Sequence, residues 1–182
     1  MTEIQARRIE IRDCLETDMP FVTAIYAHHV ETGTASFETE PPTLEEMCRR
    51  RHDIISKGLP YLVAAAGPGI LGYASAGQYR PRTAYRDTVE NSIYLRPDSM
   101  SLGIGSRLLP ALVRECELRD LRQIIAVVGD SANHASIRLH ERCGFELMAT
   151  LRSVGFKHGK WLDSVILQRS IGRADSTPPS RP

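Results

Sequence analysis

Several features of specialised proteins are missing from this sequence. It has no excess charge of one sign, because 23 Lys and Arg face 22 Asp and Glu, so a surface for nucleic acid or anionic lipid is not indicated. No apolar run approaches the roughly 20 residues that span a bilayer, and the charged segment 1–11 lacks the apolar region of a secretory signal. No C-x-x-C or other paired spacing suggests a disulfide framework or a zinc site among the four cysteines, Cys14, Cys48, Cys116 and Cys143. These absences predict a cytoplasmic protein that binds neither nucleic acid nor membrane.

The chain is long enough for one domain. Its 182 residues, 42% of them hydrophobic, suffice for a core built from roughly 150 to 170 ordered residues. The segment 172–182 (GRADSTPPSRP) is rich in Pro, Ser and charge and cannot bury a core of its own. The sequence therefore predicts a single domain over residues 1–171 and a disordered C-terminal tail over 172–182.

Hydrophobic periodicity and turn residues predict seven strands and four helices. The predicted strands cover residues 8–12, 61–66, 70–76, 88–95, 121–128, 145–151 and 161–169. The predicted helices cover residues 18–32, Thr43 to about 57, 103–119 and 131–143. Their order predicts an α/β (α+β) protein with a mixed, mostly antiparallel central sheet and helices on its faces.

The first helix has a predicted start and a predicted buried face. Thr17 is of the type that caps a helix by accepting a backbone N–H bond. Phe21 and Ile25, with Ala24 or His28, share one side of the helix at a spacing of three to four residues. We therefore expect these side chains to face the core.

A glycine-rich turn, Ser101-Leu102-Gly103-Ile104-Gly105-Ser106, stands between a predicted strand and the third helix. Free backbone N–H groups and the positive end of a helix can hold a pyrophosphate at such a turn. A dinucleotide fingerprint needs a third glycine where Leu108 stands, and the Gly-Lys-Ser/Thr of a P-loop is missing. The turn predicts an anion site for another ligand, or glycine used only for turn geometry.

A longer set of motifs gives the turn a context. The strand, the turn, its helix and the next strand are followed by Asn133-x-x-Ser136-x-x-Leu139-His140-x-x-x-Gly144-Phe145. This arrangement resembles the acetyl-CoA core of the GNAT acetyltransferase superfamily. Within it, the chain is similar to the phosphinothricin and methionine sulfoximine/sulfone N-acetyltransferases over about residues 9 to 170. The matching segments are Glu31-Thr32, Phe37-x-Thr39-Glu40-Pro41, Arg82-x-x-Tyr85, Thr88-Val89-Glu90, Arg138-Leu139-His140-Glu141, Gly155-Phe156-Lys157-His158-Gly159 and Trp161-x-Asp163.

The resemblance implies a GNAT fold and a reaction. The expected activity is transfer of acetyl from acetyl-CoA to the amino group of a small amino-acid-like substrate, such as L-phosphinothricin or methionine sulfoximine/sulfone. Resistance to such compounds and a homodimer are implied as well. The expected coenzyme-binding residues are Ile93, Tyr94, Leu95, Ser101, Leu102, Gly103, Ile104, Gly105, Ser106, Asn133 and Ser136. Met100 and Ser101 depart from the family's Arg/Gln and Gly, which removes a cation beside the pyrophosphate.

Glu90 is the predicted general base. Acetyl transfer needs a neutral amine, whereas a free amino acid at pH 7 carries an ammonium group. Strand alternation puts Thr88, Glu90, Ser92 and Tyr94 on one face and Val89, Asn91, Ile93 and Leu95 on the other, so Glu90 can face a cleft while Val89 and Ile93 pack. Outside the family context, a solvated or ion-paired carboxylate is the favoured interpretation of Glu90.

His140 is the second predicted catalytic residue. It stands where many GNAT enzymes have a tyrosine that gives a proton to the departing thiolate. A pKa near 6.5 also allows it to act as a base, and a histidine satisfied by its helix surroundings is the alternative. The other histidines are read as structural, and no H-E-x-x-H or comparable set occurs, so no metal is predicted.

Substrate recognition is expected from a basic loop and an aromatic wall. Arg80, Arg82 and Tyr85 precede the Glu90 strand and offer planar donors for a carboxylate or phosphinate, although such arginines often form only a solvated surface. Phe37 is expected to form an apolar wall of the substrate site. Three alternatives stay open: a GNAT enzyme acting on a peptide or polyamine, a non-catalytic acyl-CoA sensor, and a flavodoxin-like module using only the glycine turn.

Overall fold

The computed structural model describes residues 9–100 and 102–179. The strands are β1 (Glu10–Asp13), β2 (Tyr61–Ala66), β3 (Gly69–Gln78), β4 (Thr88–Leu95), β5 (Gln123–Gly129), β6 (Glu146–Lys157) and β7 (Lys160–Ser170). The helices are α1 (Met19–Thr32), α2 (Leu44–Ser56), α3 (Gly105–Leu118) and α4 (His134–Arg142). Within the described residues the predicted order of seven strands and four helices is confirmed. The prediction for residue 8 lies outside them.

The strands form one mixed sheet in the order β1-β2-β3-β4-β5-β7-β6. Every neighbouring pair is antiparallel except β4 and β5, which run parallel. A parallel pair requires a crossover, and α3 supplies it between these two strands. The predicted class, a mostly antiparallel sheet with flanking helices, is confirmed.

The sheet has a hydrophobic layer on each face. Strand β2 is buried along its whole length because helices cover both of its sides. On one face, side chains of α1 and α2 pack with Tyr61, Val63 and Tyr73. On the other face, α3 packs its Leu108, Leu109 and Leu112 against the alternate strand residues. Consecutive strand residues therefore enter opposite cores.

Helix α1 differs from the prediction at its start and on its face. A 3-10 turn covers Glu16–Asp18, the first helical residue is Met19, and Thr17 is exposed and makes no cap. Asp18 instead accepts from Leu15 N at 2.8 Å and pairs with Arg12 at 2.6 Å, which fixes the entry of the helix. The expected burial of Phe21 is wrong, since that side chain is 45% exposed, but Ile25 is buried as expected.

The parallel pair β4/β5 opens partway along its length. Paired residues run from Thr88 with Gln123 to Asn91 with Ala126. Both strands continue to Leu95 and Gly129, but the ladder between them does not. Backbone groups and side chains of the two diverging ends therefore face a cleft in the sheet.

The ends of the described chain add three observations. Residues 172–179 contain turns, and Arg122 Nη1 donates to Ala174 O at 3.2 Å, whereas disorder of the whole tail stays a prediction. Within residues 9–100 and 102–179, no helix has the length and apolar character needed to cross a membrane. The same residues contain no group of three or more His, Cys, Asp or Glu suited to a metal ion.

Candidate active site

A cavity of about 430 Å³ occupies the cleft between β4 and β5. It is lined by residues 90–94 of β4, 126–129 of β5, two residues of α4 with the residue that caps this helix, and the loop 35–38, together with Tyr26 and Ser164. The volume lies in the range of roughly 300 to 1,000 Å³ usual for small-molecule sites. Of the predicted site residues, the cavity brings together Glu90, His140, Ile93, Tyr94, Asn133, Ser136 and Phe37.

Glu90 lies on β4 at the cavity wall and is half-buried. Burial raises the pKa of its carboxyl group above the ordinary value, and the positive charge of Arg80 opposes that rise. A carboxylate with a raised pKa is a stronger base than an ordinary carboxylate. The position and electrostatics of Glu90 are those that removal of a proton from a bound amine requires.

His140 is 2% exposed and has hydrogen bonds at both ring nitrogens. Its Nδ1 lies 2.8 Å from Ser136 O, one turn earlier in α4, and its Nε2 lies 3.0 Å from Asn91 Nδ2. The ring of Phe145 meets the imidazole edge-on at a centroid distance of 5.1 Å. Burial lowers the pKa of His140, although the bond to Ser136 opposes this, so the ring is neutral at pH 7.

Helix α4 presents two further predicted residues to the cavity. Asn133 caps the helix, with its Oδ1 accepting from Ser136 N at 3.2 Å. Ser136 in turn supplies the carbonyl oxygen that bonds His140. One short helix thus presents three polar residues at a spacing of three to four positions to the same cavity.

The loop 34–38 contributes residues 35–38 to the cavity wall and is fixed by distant residues. Tyr26 donates its hydroxyl proton to Glu38 at 2.9 Å and lies 2.9 Å from Ser36 Oγ. Glu38 also pairs with Arg50 at 2.7 Å. Lys157 Nζ, on β6, donates to Ser36 O at 2.8 Å. Contacts from α1, α2 and β6 therefore hold this loop in place.

Glycines let this loop approach β5 and β6 closely. A Cβ on Gly129 would lie 2.5 Å from Thr34 O, and a Cβ on Gly155 would lie 2.7 Å from Cε2 of Phe37. Thr34 Oγ1 also donates to Asp130 Oδ2 at 3.0 Å. The aromatic wall expected from Phe37 thus rests on the backbone of a strand more than a hundred residues away.

The basic loop between β3 and β4 lies beside the cavity. Arg80 stacks over the ring of Tyr79 at 4.7 Å, and Tyr79 meets the Tyr85 ring at 5.7 Å. Arg82 precedes a 3-10 turn of residues Thr83–Tyr85. Arg80, Arg82 and Tyr85 are exposed and are absent from the cavity lining, but Arg80 is close enough to affect the pKa of Glu90.

The glycine turn also lies outside the cavity lining. Gly103 has φ 72°, and the space where its Cβ would stand is open. Gly105 begins α3, and a Cβ there would lie 3.0 Å from Leu139 Cδ2, so this glycine allows α3 and α4 to pack. Leu102 and Ile104 pack in the core, Ser106 Oγ donates to Gly103 O at 3.2 Å, and Ser101 lies outside the described residues. Leu95 ends β4, and its carbonyl oxygen accepts from His29 at 2.7 Å.

Sequence reasoning missed several cavity residues. Tyr26, Ser36 and Glu38 carry no local motif, and Tyr26 has the spacing of an ordinary core residue. Asn91 did carry a signal, because a carboxamide on the apolar face of β4 requires a partner. That partner is His140, 49 residues further along the chain.

The chain was compared with protein-family models, with known protein sequences and with solved structures. The family model described as acetyltransferase (GNAT) family matches residues 22–145, more than half of the chain. A phosphinothricin N-acetyltransferase of Alcaligenes faecalis is 51% identical over 93% of this chain and 86% of its own length. An L-methionine sulfoximine/L-methionine sulfone acetyltransferase of Pseudomonas aeruginosa is 38% identical over 92% and 98% of the two chains. The crystal structure of a phosphinothricin acetyltransferase from Sinorhizobium meliloti in complex with AcCoA superposes with a TM-score of 0.92 at 42% identity, covering 95% of this chain and 94% of that one.

Proposed function

The chain belongs to the GNAT acetyltransferase family, and from this premise we propose that it acetylates the amino group of a small amino-acid-like molecule with acetyl-CoA. Candidate substrates are L-phosphinothricin, methionine sulfoximine and methionine sulfone, because its relatives are named after these compounds. The observation that carries the proposal is Glu90, a half-buried carboxylate with a raised pKa at the wall of a small-molecule cavity.

The coenzyme fits two features of the fold. The cleft between the diverging ends of β4 and β5 exposes strand backbone to a linear thioester arm. This exposure is what the expected binding of the coenzyme by residues 93–95 requires. The first N–H groups of an α-helix in general lack acceptors within the helix, and the open space at Gly103, just before α3, lets a phosphate approach the backbone. We assign residues 102–106 to the pyrophosphate and Asn133 with Ser136 to the arm. Acetyl-CoA supplies the activated acetyl group.

In the proposed reaction the acetyl group passes directly to the amine. Glu90 accepts a proton from the substrate ammonium group, which frees the nitrogen lone pair for attack on the thioester carbonyl. The tetrahedral adduct then breaks its C–S bond and releases CoA as a thiolate, and the second proton lost from the nitrogen converts this thiolate to the free thiol. Holding both reactants in one cavity replaces a bimolecular encounter with a positioned one. No cysteine nucleophile is needed, and the buried thiols Cys14 and Cys116 have raised pKa values that make them poor nucleophiles. The role of His140 as an acid stays a prediction from the sequence.

Recognition of the amino acid is assigned to the loop beside Glu90. Arg80 and Arg82 offer guanidinium donors to a carboxylate or phosphinate, Tyr85 offers a hydroxyl, and Phe37 covers the aliphatic part. A cationic loop suits an anionic substrate better than a polyamine. This preference favours the small-acid substrates over the alternative acceptors.

Assembly, location and resistance are further proposals. We propose a homodimer in which a second copy covers the exposed apolar side chains of the β6/β7 hairpin, including Val154, Phe156 and Trp161 at 53%, 59% and 65% exposure. A cytoplasmic location, the absence of a metal requirement and a role in resistance are expected from the sequence and the resemblance.

The proposal is tested by thiol release from acetyl-CoA with a panel of acceptors. The panel contains L-phosphinothricin, methionine sulfoximine, methionine sulfone, a polyamine and peptides with free N-termini. We expect turnover on the three small acids and little on the rest. Turnover confined to peptides or the polyamine would overturn the substrate class, and coenzyme binding with no turnover would indicate a sensor.

A pair of arginine variants tests the recognition step. Arg82→Gln removes a loop guanidinium and is expected to raise KM for the small acids about tenfold or more, with a smaller effect on KM for acetyl-CoA. Arg114→Gln removes an exposed guanidinium from α3 and serves as the control. Equal KM values in the two variants would remove Arg82 from the substrate site.

A further inference from the structure

Asn91 is a buried polar residue on an apolar strand face. It is 6% exposed, and its neighbours on that face of β4, Val89 and Ile93, pack into the core. A carboxamide removed from water costs free energy unless a hydrogen bond compensates. The bond from Asn91 Nδ2 to His140 Nε2, 3.0 Å long, provides the compensation.

The protonation of the imidazole follows from its partners. The carbonyl oxygen of Ser136 can only accept, so His140 Nδ1 carries the proton in that 2.8 Å bond. In the neutral ring Nε2 then has a free lone pair, which accepts an N–H from Asn91. Both nitrogens are occupied by protein groups, and neither is left to deliver a proton to a departing thiolate.

The pair connects the two walls of the cleft. Asn91 belongs to β4, between Glu90 and the strand residues assigned to the thioester arm. His140 belongs to α4, one turn after Ser136 and two turns after Asn133. Glu90 directly precedes Asn91 on β4, and it lines the same cavity as the pair. Moving His140 would therefore move the coenzyme side of the cavity relative to the base.

We propose that Asn91 and His140 are positioning residues, a neutral hydrogen-bonded pair that fixes α4 against β4, and that His140 acts through Asn91 rather than by proton donation. The proposal rests on the acetyltransferase function and assigns to these two residues the alignment of the thioester with the amine. Asn91 Oδ1 is buried with no hydrogen-bond partner among the described residues, so the Nε2 bond is what holds the carboxamide.

The first test is spectroscopic and needs no turnover. The imidazole nitrogen shifts of 15N-histidine-labelled protein are measured at pH 7, and His140 is assigned by the signal lost in His140→Gln. We expect a protonated, pyrrole-type Nδ1 and an unprotonated, pyridine-type Nε2. A proton on Nε2, in either the other tautomer or a charged ring, would overturn the proposal.

The second test is a double-mutant cycle with a conservative variant. Asn91→Leu and His140→Leu each remove one side of the bond, and the double variant is expected to lose no more kcat/KM than the worse single variant. In His140→Gln a side-chain oxygen can still accept from Asn91, so we expect activity within about tenfold of wild type, whereas loss of a general acid costs about 100- to 10,000-fold. Thermal unfolding of each variant shows whether it folds.

The outcomes separate this proposal from the proposed function. Additive losses in the cycle, or a His140→Gln variant as damaged as His140→Leu while Asn91→Leu stays active, would restore the proton-donor role and overturn the pair. A wild-type protein that acetylates no acceptor would overturn the proposed function. In that case the double-mutant cycle is measured with the Kd for acetyl-CoA in place of kcat/KM. The nitrogen shifts are interpretable in either case.

Discussion

Gly129→Ala tests how rigidly the cavity wall is built. The new Cβ would lie 2.5 Å from Thr34 O and 3.1 Å from Ala35 O. Ordinary contact begins near 3.4 Å, so the loop must retreat by about 0.9 Å (3.4 − 2.5). Backbone carbonyls cannot rotate away as a side chain can, and the loop is also held by Asp130 and Lys157. Overpacking of this kind costs about 1–3 kcal/mol.

Both stability and activity should therefore change. At roughly 2–4 °C per kcal/mol for a chain of this size, Tm is expected to fall by about 2–12 °C. Because the displaced loop carries Ser36 and Phe37 into the cavity, kcat/KM is expected to fall about 10- to 100-fold. Gly69→Ala, whose Cβ would meet only ordinary contacts, is the control, measured by the same thermal unfolding and thiol-release assays. Equal Tm and kcat/KM in the two variants would refute a rigid wall.

Two further changes probe other contacts. In Gly155→Ala the methyl group meets the ring of Phe37, which is the end of a flexible side chain. We therefore expect KM for the small acids to change severalfold while Tm stays near that of the wild type. An unchanged KM would show that the ring does not face the substrate. The hydrogen bond from Arg12 holds the pKa of Asp18 below its usual range, so its stabilisation is present above the unfolded pKa near 3.9 and is lost as pH falls through the folded pKa. Asp18→Asn is therefore expected to lower the free energy of unfolding at pH 7, measured in urea, by about 1.5–3 kcal/mol. In acid the variant and the wild type are expected to have the same free energy of unfolding. A difference that stays constant at all pH values would contradict the ion pair.

The sheet was predictable where local pattern and tertiary environment agree. Strand 88–95 was predicted with the bounds that β4 has, because its alternating residues face two different surroundings. For helix α1 the predicted burial was right for Ile25 and wrong for Phe21, since apolar residues occur all around the helix. Met19, Val22 and Tyr26 are buried because they face the sheet and α2, whereas Phe21 is exposed. The periodicity of a single helix does not show which of its apolar sides faces its neighbours.

The candidate site divides in the same way. Glu90 and His140 could be named because motifs surround them, and the structure brings both to one cavity. Phe37 was also named, but the rest of its loop could not be, since the contacts of the loop join Thr34 to Asp130 and Ser36 to Lys157 across about 100 residues of chain. The hydrogen bond at His140 Nε2 likewise depends on a residue of another element, Asn91 of β4.

The central claim is that Glu90 is the base of an amino-acid acetyltransferase, and the pH dependence of kcat/KM for L-phosphinothricin in wild type and Glu90→Gln tests it most directly. A base works when ionised, so wild-type activity is expected to rise with pH through an apparent pKa above the ordinary carboxyl value, because burial raises that of Glu90. Glu90→Gln is expected to lose this limb and at least ~100-fold in kcat/KM, while Glu141→Gln, an exposed change on α4, keeps both. A Glu90→Gln variant with wild-type rate and pH profile would contradict the account.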